Sequence, residues 1–114
     1  MINYPNERVW KALAHPVRRR ILDLLRDEPM VTGELCSEFM DKLSRFAVMK
    51  HLGILEEAGL AIVEKEGRFQ RHYLNAVPIQ EISRRWINRF ADYSSKGLLN
   101  LKEISEKEGE RNDD

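Results

Sequence analysis

Cys36 is the one cysteine of this chain, so no intramolecular disulfide can form. That scarcity favours a reducing, cytoplasmic setting. The N-terminus lacks a basic stretch followed by an apolar one, and no signal peptide is expected. No apolar run approaches the roughly 18 residues that a membrane span needs, and no membrane partner is expected. Net charge is also missing, with 19 Lys and Arg against 19 Asp and Glu. The balance is uneven along the chain. Residues 103–114 hold six acids against Lys107 and Arg111, so this tail is −4 and the rest is +4. A mildly basic body with an acidic tail is compatible with nucleic-acid binding but does not establish it. There is no glycine-rich phosphate loop, no cysteine pair and no nucleophile beside a recognisable base. The histidines His15, His51 and His72 fall on three different elements. These absences argue against an enzyme, and no cofactor is expected.

What is present is a run of short helical patterns. At 114 residues the chain has room for one main domain. Pro5 to Ala14 reads as a helix, with Val9, Trp10 and Leu13 apolar and Asn3 as a candidate cap. His15-Pro16 breaks it, because the residue before proline avoids the helical region, and Pro16 can open the next helix. That helix runs to about Arg26 with Val17, Ile21, Leu22 and Leu25 as its buried stripe, and Pro29 closes it. Thr32 is placed to cap a short helix through Phe39, in which Leu35, Cys36 and Phe39 are apolar. Ser44 is placed to cap a fourth helix that ends near Gly59, a residue able to adopt the left-handed conformation. The β-prone runs Leu60–Lys65 and Phe69–Leu74 flank Glu66-Gly67-Arg68 and read as a hairpin. Pro78 then opens a long helix. Its residues Ile79, Ile82, Trp86, Phe90 and Tyr93 recur at spacings of three, four, four and three, forming one seam. Gly97 weakens that helix, though Leu98, Leu101 and Ile104 can continue it.

This order predicts a mainly α chain with a small β-hairpin: a winged helix-turn-helix with long N- and C-terminal helices forming a dimer interface. The expected division is a winged-helix domain with its dimerisation helices over 1–95, then a helical extension and acidic tail over 96–114. The hairpin is too small to stand alone and must lean on the helices.

The fourth helix has two faces. Val48, Leu52 and Leu55 point to a core, while Arg45, Phe46, Met49, Lys50 and Gly53 point away. Such a helix, before a hairpin, suits the DNA major groove. Arg45 can donate to a guanine edge or neutralise a phosphate. Lys50 suits a phosphate. Phe46 and Met49 can meet thymine methyls or pack on protein. His51 sits at the edge of the buried face, either as a DNA contact or as a half-buried structural histidine. Lys65, Arg68, Gln70 and Arg71 make the hairpin tip a second candidate DNA surface, diluted by Glu64 and Glu66. Arg18-Arg19-Arg20 at a helix N-terminus opposes the helix dipole. An ion pair to Glu34 or Glu57 is expected for at least one of these arginines, with a phosphate contact as the other use. Val9, Trp10 and Leu13, with the seam Ile79, Ile82, Trp86, Phe90 and Tyr93, expose more apolar surface than a small monomer covers. A two-fold homodimer is the common solution. It would set two recognition helices one DNA turn apart, as a palindromic site requires.

Four segments carry a family resemblance. They are Ala12-Leu-Ala-His-Pro-Val-Arg-Arg-Arg-Ile-Leu-Asp-Leu-Leu25, Gly33-Glu-Leu-Cys36, Lys50-His-Leu-Gly-Ile-Leu-Glu-Glu-Ala-Gly-Leu60, and Glu66-Gly-Arg68 leading to Tyr73-Leu-Asn75. Over roughly residues 8–95 the chain resembles the ArsR family of bacterial and archaeal repressors. The resemblance implies a dimeric winged helix whose first and last helices form the interface. It also implies recognition positions at Ser44, Arg45, Phe46, Met49, Lys50 and His51. Phe46 stands where the family commonly has proline, and Met49 where it commonly has serine. Metal-sensing members often carry Glu-Leu-Cys-x-Cys on the third helix. Here Glu34-Leu35-Cys36 matches, but Glu38 replaces the second cysteine, and the last helix has no histidine. A lone thiolate is a poor soft-metal site, so no metal is expected and Cys36 reads as a small apolar core residue. The expectation is a homodimeric, DNA-binding repressor that is not regulated by metal and answers to an unidentified small-molecule or protein effector. The alternatives are a metal- or thiol-responsive sensor using Cys36, and a protein-interaction winged helix using Phe46 and Met49.

Overall fold

A computed structural model of the chain describes residues 6–87. The elements are α1 (Glu7–Leu13), α2 (Pro16–Asp27), β1 (Met30–Val31), α3 (Thr32–Glu38), α4 (Arg45–Glu57), β2 (Ala61–Glu66) and β3 (Phe69–Leu74). Residues 77–87 are again helical. The chain divides into two compact units between Gln80 and Glu81. The expected boundary at 95/96, the cap at Asn3, Phe90, Tyr93, Gly97 and the acidic tail lie outside the described residues.

The core of the first unit is apolar. Ile21, Leu35, Val48, Leu55 and Leu60 are fully buried, joined by Val9, Ala12, Leu22, Leu25, Met30, Phe39 and Leu52. These residues come from α1, α2, α3 and α4 and from positions in or beside the strands, so the hairpin and the four helices share one core. Val17 is only half-buried, and the expected α2 stripe carries Arg18 beside Ile21, Leu22 and Leu25.

The sheet has three strands in the order β1-β3-β2, all antiparallel, where the sequence showed only a hairpin. The extra strand is two residues long, too short to display an alternating pattern. It pairs Met30 with His72 and Val31 with Arg71, tying the start of α3 to the hairpin. This also shifts the α3 cap. Val31 takes the cap position and Thr32 is the first helical residue. The Val31 N–H donates to Glu34 Oε1 at 3.1 Å, and the Thr32 hydroxyl is left to bond elsewhere.

Two glycines have set conformations. In the hairpin Glu66 pairs with Phe69, so Gly67-Arg68 is a two-residue loop. Gly67 has φ 60° and Arg68 has none of the positive φ values, the type II′ pattern that matches strand twist. Gly59 has φ 76° and follows α4. Its N–H donates to Glu56 O at 3.0 Å, and the Leu60 N–H donates to Leu55 O at 3.0 Å, which is a Schellman closure. Leu55 and Leu60 are both fully buried, so the turn also completes the core. A Cβ on Gly59 would meet only Pro78 Cγ, at 3.9 Å. The cost of Gly59→Ala is therefore conformational, about 1–2 kcal/mol, and urea denaturation should show it. Asn75 fastens the same corner, its Nδ2 donating to Gly59 O at 2.8 Å.

Candidate nucleic-acid interface

Ser44 starts α4 as expected, its Oγ accepting the Ala47 N–H at 3.1 Å and satisfying one orphan donor. Val48, Leu52 and Leu55 anchor the inner face. On the other side Phe46 is 79% exposed and Met49 48% exposed. Arg45 and Lys50 are also exposed. Neither forms an ion pair among the described residues. The helix therefore presents two unneutralised cations and two apolar side chains to solvent.

The hairpin register divides the four predicted tip residues. Opposed residues share a sheet face. Lys65 pairs with Gln70, on the face that also carries the Val63–His72 pair, where His72 is buried against the helical body. Arg71 lies on the opposite face and donates from Nε to Glu66 Oε2 at 3.0 Å, an ion pair that holds it more firmly protonated. Arg68 is exposed in the loop. Lys65, Gln70 and Arg68 thus extend toward the tip without an ion pair among the described residues, while Arg71 has a carboxylate partner.

The three arginines of α2 do not pair with Glu34 or Glu57. Arg18 is buried, and it donates from Nε to Ala12 O at 2.7 Å and from Nη2 to Lys11 O at 2.9 Å. Arg19 Nη1 donates to Leu13 O at 2.6 Å. Cations favour the carbonyl end of a helix. The tight His15-Pro16 turn brings the end of α1 to the start of α2, so the nearest negative partners are peptide oxygens, not carboxylates. The legible signal was the arginine position two residues after a helix-breaking proline.

Arg18 also reaches α4. Its Nη1 lies 3.1 Å from His51 Nδ1. The His15 and His51 rings are 4.4 Å apart between centroids, and His15 Nδ1 accepts the Val17 N–H to cap α2. Burial, helped by His15, Arg18 and Lys50, lowers the His51 pKa from its ordinary 6.5. His51 is half-buried and points toward this cluster.

Cys36 is half-buried and not a full core residue. It lines an open cleft of about 370 Å³ with Gly33, Ser37, Met40, Leu43, Ser44 and Arg45. No group of three or more His, Cys, Asp or Glu stands close enough to hold a metal among the described residues. No described helix is long and apolar enough to cross a membrane. Of the expected dimer residues, Val9 is 3% exposed and lies in the protomer core. Trp10 is 44% exposed and Trp86 55%, Leu13 and Ile79 are half-buried and Ile82 is buried.

Comparison with known proteins agrees with this geometry. Residues 13–64 match a family model described as a helix-turn-helix domain. The chain is 32% identical over 90 residues to the transcriptional repressor SdpR of Bacillus subtilis, covering 79% of this chain and 97% of that one. It resembles the crystal structure of an ArsR family transcriptional regulator, RHA00566, with a TM-score of 0.71 and 27% identity, covering 83% of this chain and 98% of the other. An ArsR-like transcriptional regulator from Rhodococcus sp. RHA1 gives a TM-score of 0.68 and 27% identity, with 88% and 89% covered. The exposed cationic helix, the basic hairpin and these relatives agree: the chain belongs to the ArsR family of winged helix-turn-helix transcriptional regulators, which bind DNA and are not enzymes.

Proposed function

We propose that this regulator is a homodimeric repressor acting on a palindromic operator, and that its signal is not a metal. The observation that carries the reading is the outer face of α4, where exposed Phe46 and Met49 stand beside Arg45 and Lys50, which form no ion pair among the described residues. Arg45 is the side chain suited to a guanine edge, and Phe46 and Met49 suit thymine methyls. Ser44 fixes where the helix begins, Lys50 meets the backbone and His51 stands on the flank. On the hairpin Lys65, Arg68 and Gln70 follow the backbone, with Arg71 held by Glu66 on the far face. Exposed Trp10 and Trp86, on the first and last described helices, support a two-fold interface. A lone Cys36, with Glu38 where a second thiol would stand, supports a signal other than metal.

Gel-shift titration against a duplex from upstream of the protein's own gene tests the reading. The log-log salt slope should be about −0.9 for each phosphate neutralised. Arg45→Ala should reduce discrimination by roughly 1–3 kcal/mol at one base position and leave the others nearly unchanged. Absence of salt-dependent binding would overturn the proposal.

A thiol-responsive reading has one observation in its favour, the half-buried Cys36 beside Ser44 and Arg45 in the same cleft. Peroxide-induced release from DNA that is lost in Cys36→Ser would establish it.

A further inference from the structure

Arg18 is only 8% exposed, yet no carboxylate lies within ion-pair distance of it among the described residues. Its partners are two peptide oxygens and one imidazole nitrogen. A buried charge without a counter-charge is costly, so a partner that supplies the missing negative charge gains affinity. Arg19, His15, His51 and Lys50 are neighbours of Arg18 in sequence or space, and none is an acid.

The arginine also fixes the chemistry of His51. A guanidinium has five donors, no acceptor and stays protonated. The contact between Arg18 Nη1 and His51 Nδ1 therefore requires Nδ1 to accept. In neutral His51 the ring proton must then sit on Nε2. That atom has no hydrogen-bond partner among the described residues. It is not sealed from solvent either, since the buried side-chain atom left without a partner there is Nδ1 of His72. Nε2 is thus an oriented donor, polarised by a cation behind it and braced by the His15 ring.

We propose that Arg18, His15 and His51 form a phosphate-binding node on the flank of α4. In it His51 donates its Nε2–H to an oxygen of the DNA backbone, and buried Arg18 supplies the charge behind that bond. Arg18 is a positioning residue, and His51 makes the contact. One hydrogen bond, one ring and a second hydrogen bond separate the guanidinium from the phosphate. That path is comparable to the roughly 8 Å screening length at physiological salt. The node also reports the α1–α2 junction to the DNA surface, because Arg18 holds the last carbonyls of α1 in the same fork.

The inference rests on the DNA-binding reading, and its test separates the two. Phosphate contacts are sequence-independent, so a mixed-sequence duplex is a sufficient probe. His51→Ala in the full chain should weaken binding about tenfold, the worth of one hydrogen bond to a charged group, with the salt slope unchanged. Lys50→Ala should lower the slope by about one contact. In wild-type protein, nitrogen NMR of the histidine rings should show His51 protonated at Nε2. The duplex should shift that resonance, and inorganic phosphate at equal ionic strength should not. Folded His51→Ala with wild-type affinity, a proton on Nδ1, or a resonance blind to the duplex would each overturn the node while leaving DNA binding intact. An equal shift with inorganic phosphate would overturn its assignment to DNA. No salt-dependent binding of wild-type protein to any duplex would remove the DNA reading itself.

Discussion

Leu55→Ala is expected to lower the unfolding free energy by about 2–5 kcal/mol, while Phe46→Ala on the same helix changes it by less than about 0.5 kcal/mol. Both changes truncate a large apolar side chain, and burial separates them. Leu55 is fully buried and Phe46 is 79% exposed. Leu55 loses more than transfer energy. Its carbonyl accepts the Leu60 N–H that closes α4, and its side chain fills the core beneath that turn. A cavity there loosens the point where α4 hands over to β2. For a domain of this size the loss corresponds to a fall in Tm of roughly 10–20 °C. Urea melts followed by circular dichroism would measure both variants. A Leu55→Ala cost below about 1 kcal/mol would mean that α4 does not pack as described. The contrast also bears on function, because Phe46, 79% exposed among the described residues, leaves most of its apolar surface open to a partner.

The sequence made most of the helical frame legible because each boundary has a local cause. His15-Pro16 separates α1 from α2, Ser44 caps α4, and Gly59 closes it, all within the reach of short-range rules. What escaped depends on residues far apart in the chain. β1 exists only because Met30 and Val31 find His72 and Arg71 some forty residues later. That pairing takes the cap away from Thr32. The sequence sets Arg18 against acids of nearby helices, but a peptide carbonyl is invisible in a residue alphabet, and Lys11 and Ala12 show no sign of being acceptors. The outer face of α4 was legible as a surface, since periodicity separates Phe46 and Met49 from Val48 and Leu52. The tip of the hairpin was legible in composition only. Register decides that Lys65 and Gln70 share one face while Arg71 turns to Glu66, and register follows from the two-residue turn at Gly67 and from the burial of His72 together.

His72 should make the fold acid-sensitive, and Thr32→Val should cost about 1–3 kcal/mol by stranding the imidazole without a partner. The side chain is 3% exposed. Its Nε2 lies 2.8 Å from the Thr32 hydroxyl, and its Nδ1 has no partner among the described residues. Burial lowers the pKa from the ordinary 6.5, with Glu56 pulling weakly the other way. Above pH 6.5 both folded and unfolded chains hold a neutral ring, and the site contributes its full stability. Below 6.5 the unfolded chain binds the proton first. Stability is then lost as pH falls toward the folded-state value and levels off beneath it. His51 shifts in the same direction and adds to the slope. Urea melts between pH 8 and pH 5 should therefore show a declining midpoint that begins near 6.5, and His72→Phe should flatten much of it. Stability that is constant across that range would mean that the ring finds a partner for Nδ1. In Thr32→Val the loss should already be present at pH 8, where no proton is involved. That separates the missing hydrogen bond from the titration. The two effects meet at one place in the fold, where β1, β3 and the first turn of α3 join. Loosening that joint in acid would detach the hairpin from the helix-turn-helix before the core around Leu35 and Leu55 gives way, and DNA affinity should fall at a higher pH than helicity does.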